Sequence, residues 1–112
     1  MAGVVFHVND AEPDRHKSVL RNVRNLLDDM PDLNIEVVLH GDGVVLAISE
    51  TTSVAQDVLD LQQRGVVIAV CQNTLRQKQI SESALLPGMT LVPSGQGELV
   101  RKQLEGYAYV KP

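Results

Sequence analysis

The sequence predicts an α/β domain built on a mainly parallel sheet with helices on both faces. Short apolar runs rich in β-branched residues recur along the chain, and helical stretches separate them. The chain has 112 residues, enough for one domain, and its 44% apolar content supplies a core.

The elements follow in order. Val4 to Val8 (VVFHV) reads as a buried strand closed by Asn9-Asp10. A helix of about four turns comes next. Pro13 suits its first turn, and Asp10, Glu12 and Asp14 suit the positive end of its dipole. Val19, Leu20, Val23, Leu26, Leu27 and Met30 form one apolar stripe, with Lys17, Arg21 and Arg24 on the opposite, solvated side. Pro31 forbids continuation. Leu33 to Leu39 (LNIEVVL) is the second strand and ends at His40-Gly41-Asp42-Gly43. Val44 to Ile48 is read as a short buried helix. Val54, Ala55, Val58 and Leu59 mark an amphipathic helix with Ser53 as its expected N-cap and Gly65 as its stop.

Val66 to Val70 (VVIAV) is the most hydrophobic run, expected as a central strand buried on both faces, with Cys71 as its last residue. Thr74 to Ile80 is a short helix or turn. After the Pro87-Gly88 break, Met89 to Val92 is a fourth strand. Ser94 caps a last helix carrying Leu99, Val100 and Leu104, Gly106 ends it, and Tyr107 to Val110 is a fifth strand. Right-handed crossovers then give a doubly wound, flavodoxin-like three-layer α/β/α sandwich of five strands, 1–112 forming a single domain. The pattern leaves the strand order open.

Composition excludes several function classes. Ten Lys+Arg against fourteen Asp+Glu give a net charge of -4, unsuited to wrapping a phosphate backbone. Phe6, Tyr107 and Tyr109 are the only aromatic residues, too few for a base-stacking platform. Nucleic acid is therefore not expected as a partner. The single cysteine excludes an intrachain disulfide framework and a multi-thiolate zinc site. His7, His16 and His40 have no i, i+4 pairing, so no metal is expected, and nothing calls for a cofactor. No run approaches the ~20 apolar residues of a membrane helix. The opening MAGVVFHVND lacks a basic leader region, so a cytoplasmic location is expected.

In open α/β sheets ligands bind beyond the carboxyl ends of the strands. Those ends carry Asn9-Asp10, His40 to Gly43, Cys71-Gln72-Asn73 and Pro93 to Gly97. Cys71 is the sharpest feature: a thiol near a helix start has its thiolate stabilised by backbone N–H groups, with those of Asn73 and Thr74 in reach. The structural alternative is a small buried hydrophobe. His40 can serve as a base or as proton donor to a sulfur leaving group, with Asp42 orienting it. Alternatively Gly41 and Gly43 shape a tight turn and Asp42 caps the next helix. His7 is expected as a satisfied core histidine and His16 in a more exposed part of its helix. Ser94-Gly95-Gln96-Gly97 can cradle an anion or simply turn the chain into a helix. An acidic Asn9 to Pro13 segment after the first strand disfavours a nucleotide phosphate there.

The succession VVFHVND, IEVVLHGDGV, GVVIAVCQNTL and PGMTLVPSGQGELVRKQLEGYAYVKP resembles the DsrE/DsrF-like family of small sulfur-relay-related proteins over nearly the whole chain. The most telling pieces are HGDGV (His40 to Val44), V-C-x-N-T-L (Val70 to Leu75) and E-G-Y-A-Y (Glu105 to Tyr109). The resemblance implies a flavodoxin-like sheet, oligomeric assembly as a trimer, hexamer or dimer, and a link to sulfur transfer. Cys71 would accept a persulfide from a sulfur-donor protein and pass it to a sulfur-acceptor protein, with His40 assisting. Asn9, Asp10, Asp42, Asn73 and Ser94 complete the expected site. The competing expectation is a non-catalytic interaction subunit of an oligomer, with Cys71 structural and the tyrosines of the last strand at an interface.

Overall fold

A computed structural model describes residues 2–112. The strands are β1 (Gly3–Val8), β2 (Asn34–Leu39), β3 (Val67–Cys71), β4 (Thr90–Val92) and β5 (Ala108–Val110). The α-helices are α1 (Pro13–Asp29), α2 (Ala55–Gln63), α3 (Gln72–Lys78) and α4 (Gly95–Leu104). The sheet order is β4-β3-β2-β1-β5, and every pairing is parallel.

This order explains the layering. The steps β1 to β2 to β3 to β4 all move one way across the sheet, so right-handed crossovers stack their connections on one face. The final step jumps from one edge to the other in the opposite sense, so α4 lies on the opposite face. The cores match. Val4, Phe6, Val8, Val37, Leu39, Ile68 and Val70 pack with Val19, Leu20 and Val23 of α1, Val58 and Leu61 of α2 and Leu75 of α3. Alternate residues of the same strands, Val5, Val38 and Ala69, pack with Val92 and with Leu99 of α4. The first face therefore holds most of the apolar burial, and the second is covered by one helix.

Several local expectations are corrected. The strand at the centre of the sheet is β2, while β3 lies one place out and its Val67 is exposed on the α4 side. Gly41–Ala47 forms a 3-10 helix that starts earlier than the expected segment. Its position follows from Gly43: a Cβ there would sit 2.0 Å from the Val8 carbonyl oxygen, so only glycine lets the turn close onto the end of β1. Ser53 does not cap α2. The N-cap is Val54, whose N–H is donated to Thr52 Oγ1 at 3.3 Å. α1 ends at Asp29, which leaves Met30 exposed rather than in the apolar stripe. His16 is buried, not exposed, because its Nε2–H donates to the Asp10 carbonyl at 2.7 Å. α4 buries Leu99, but Val100 and Leu104 are 55% and 82% exposed, since a helix alone on a face has only one side against the sheet. Lys17, Arg21 and Arg24 lie on the exposed side of α1, as their spacing predicts.

Candidate functional site

The strand order creates one place where adjacent strands send their following helices to opposite faces. β3 runs into α3 on the first face, and its neighbour β4 runs into α4 on the second. Such a switch point opens a crevice at the carboxyl ends of the strands. Cys71 stands there, in register with Val92.

Cys71 is itself the N-cap of α3, which begins at Gln72 rather than at Thr74. Its Sγ accepts the Thr74 N–H at 3.4 Å. The Thr74 hydroxyl in turn accepts the Gly41 N–H at 3.0 Å, tying the His40–Gly43 turn to the start of α3. α4 approaches from the other side. Ser94 Oγ accepts the Gly97 N–H at 3.1 Å and fixes the start of that helix. A Cβ on Gly95 would lie 3.0 Å from His40 Cβ and 3.3 Å from Cys71 Cβ, so the missing side chain lets α4 settle onto both residues. Burial pushes the Cys71 thiol up. Hydrogen bonds from the Thr74 hydroxyl and from the N–H groups of Thr74, Gly95 and Asn73 outweigh it and hold the thiol below its ordinary value. The residue is only 2% exposed.

Strand alternation extends the site sideways. His40 follows β2 on the α4 face, and His7 of β1 lies beside it, their ring centroids 5.7 Å apart. His7 Nδ1 is hydrogen-bonded to the Tyr109 hydroxyl of β5 at 3.0 Å. Tyr109, His7, His40 and Cys71 thus form a row across four neighbouring strands, β5-β1-β2-β3. Among the described residues, His7 Nε2 and His40 Nδ1 are buried without a hydrogen-bond partner. Burial, the Lys111 charge and His40 hold the His7 pKa below its ordinary value, which keeps the ring neutral at pH 7. His7 is therefore not a satisfied core histidine: it is half-buried, at the site, with one nitrogen unpartnered.

The other expected residues are placed differently. Asp42 does not orient His40. Its exposed carboxylate accepts a hydrogen bond from Lys78 Nζ at 2.6 Å, and this ion pair holds the carboxyl below the usual range. It caps no helix, the N-cap of Gly41–Ala47 being His40. Asn73 offers its backbone N–H to the sulfur, while its side-chain oxygen accepts from Arg76. Asn9 accepts from Lys111 Nζ at 2.9 Å, and Asp10 pairs with Arg15 at 3.5 Å. Sequence reasoning missed Tyr109 and the role of His7. Their partnership spans nearly the whole chain, and the visible signal was a polar His inside an apolar strand. Among the described residues, no group of three or more His, Cys, Asp and Glu side chains converges on a metal position, and no helix is long and apolar enough to cross a membrane.

The sequence model of the DsrE/DsrF-like family matches residues 3–112. The chain belongs to the DsrE/DsrF-like family. A protein of unknown function from Methanobacterium thermoautotrophicum is 38% identical, with all of both chains covered and a TM-score of 0.94. The ychN protein from E. coli has the same fold at 19% identity, all of both chains covered and a TM-score of 0.83. A conserved protein of unknown function from Bacteroides thetaiotaomicron follows at 17% identity and a TM-score of 0.77, with 98% of this chain and 94% of that one covered. No curated protein matches the chain. Membership in the DsrE/DsrF-like family connects the α/β domain to sulfur-relay chemistry, and the thiol at the switch point is the one soft nucleophile the chain offers to it.

Proposed function

We propose that this chain is a sulfur carrier in which Cys71 accepts a sulfane sulfur and passes it on. The observation that carries the reading is the Cys71 thiol, held below its ordinary pKa at the switch point by donors from α3 (Asn73, Thr74) and α4 (Gly95). Family membership supplies the sulfur-relay context. The Cys71 thiolate attacks the outer sulfur of a donor persulfide R–S–SH. A new S–S bond forms on Cys71 and the donor's S–S bond breaks. R–S⁻ leaves and takes a proton, for which His40 is the adjacent carrier. The N–H groups of Asn73, Thr74 and Gly95 stabilise the persulfide anion as they do the thiolate. The second transfer runs the same exchange with an acceptor thiol. Donor and acceptor are proteins on this reading, and a cytoplasmic setting keeps the free thiol reduced. No step on this reading falls to Asn9, Asp10 or Asp42, whose side chains pair with Lys111, Arg15 and Lys78.

The experiment is persulfide loading followed by mass spectrometry. Exposure to a low-molecular-weight persulfide should add the mass of one sulfur to Cys71, and Cys71→Ser should gain nothing. A wild-type chain that stays unmodified while a control carrier is loaded overturns the proposal.

One observation favours a second reading, a non-catalytic oligomeric subunit with Cys71 structural. Tyr109, Val100 and Leu104 are exposed around the thinly covered second face, and Cys71 is almost fully buried. A Cys71→Ser variant that assembles and functions like the wild type decides for that reading.

A further inference from the structure

Glu36 is a carboxyl in the middle of an apolar strand. It stands in β2 between Val5 of β1 and Val67 of β3, and it points to the α4 face. It is only 6% exposed, and its Oε2 has no hydrogen-bond partner among the described residues. From α4, Glu98 faces it, and Lys102 Nζ stands 3.9 Å from its Oε1. Lys102 is shared with Glu105 at 3.5 Å and lies 5.0 Å from the centre of the Tyr107 ring. Glu98 is also held by Arg101 at 3.3 Å. A lone shared lysine at this distance does not satisfy two carboxylates on a buried face.

We infer that Glu36 is a positioning residue for Cys71: as a protonated acid paired with the Glu98 carboxylate, it clamps α4 onto the sheet and so holds Gly95 against the thiol. Glu98 lies one turn beyond Gly95 on the same helix, so lifting α4 at Glu98 withdraws the Gly95 N–H from the sulfur. Burial first, then the hydrogen bond to Glu98 and the Glu98 charge, push Glu36 up to about 8. The hydrogen bond from Glu36 holds Glu98 below the usual range. Opening of α4 solvates Glu36 and returns it to its ordinary value of 4.5, releasing a proton. The opening equilibrium therefore rises with pH between those two values and levels off above the higher one. Glu98 titrates below this window and Lys102 above it, both shifted outward by their partners. Cys71, the N-cap of α3 packed against Gly95 at the start of α4, contributes in every variant that retains it, so the comparison below removes its share.

The test is amide-exchange protection of α4 as a function of pH in the full chain. In the wild type, protection should fall about tenfold per pH unit across the neutral range and then level off. Glu36→Gln keeps the shape and a donor to Glu98 but cannot ionise, so its profile should lose that slope. Glu36→Ala should loosen α4 at every pH and speed Cys71 alkylation, and Glu36→Gln should restore wild-type reactivity at neutral pH. Direct titration of the Glu36 side-chain carbon in the wild type by nuclear magnetic resonance requires no variant. An ordinary midpoint there, or the same protection slope in Glu36→Gln, overturns the inference. Neither outcome bears on whether Cys71 carries sulfur.

Discussion

Replacing Thr74 by valine removes one hydroxyl from the centre of the thiol's environment with little change of shape. That hydroxyl has two partners, donating to Cys71 Sγ and accepting the Gly41 N–H at 3.0 Å. A hydrogen bond to a charged group contributes about 1.5 kcal/mol, which corresponds to about one pKa unit. The Thr74→Val thiol should therefore titrate about one unit higher than the wild type. At a pH below both midpoints the thiolate fraction then falls about tenfold. The remaining thiolate is intrinsically more nucleophilic, and a Brønsted slope of about 0.5 returns about threefold, so alkylation slows by about threefold. The orphaned Gly41 N–H should cost about 1–3 kcal/mol of stability. Thiolate absorbance against pH gives the midpoint, alkylation by iodoacetamide gives the rate, and denaturant unfolding gives the stability. Thr74→Ser keeps the hydroxyl and should keep the wild-type midpoint. A folded Thr74→Val protein whose thiolate titration superimposes on the wild type would refute the claim that this hydrogen bond activates Cys71.

Two further predictions concern the neighbouring turn and the histidine row. Gly43→Ala puts a methyl 2.0 Å from the Val8 carbonyl oxygen, so the turn must leave the end of β1. The cost should be about 3 kcal/mol, a Tm drop on the order of 10 °C by calorimetry, and an unchanged Tm would show that the turn gives way freely. Burial, Lys111 and His40 depress the His7 pKa, so the folded state resists its protonation. Stability should be present at neutral pH and lost as pH falls through the ordinary value of 6.5 toward the lower folded one. His7→Phe should flatten that part of the stability-pH profile, and an unaltered profile would assign the loss to other groups.

The sequence by itself determined the fold class and most of the elements, because strand and helix periodicity, Pro13, Pro31, Ser94 and Gly106 are local signals. It also singled out Cys71, since a lone thiol closing the most apolar run is visible without any pairing. It carried traces of more: a His in β1 and a Glu in β2 interrupt runs that are otherwise apolar. What those two residues touch depended on the tertiary structure alone. Strand order is set by pairings between distant segments, and only the order β4-β3-β2-β1-β5 makes the end of β3 a switch point and leaves α4 alone on its face. The same order sets Tyr109 beside His7 across nearly the whole chain, and parallel register aligns both with His40 and Cys71. The local signals that misled, Ser53 as a cap and Met30 in a buried apolar stripe, share one physical reason. Capping and burial depend on which neighbour arrives, and a helix that stops at Asp29 exposes an apolar residue that spacing alone would bury.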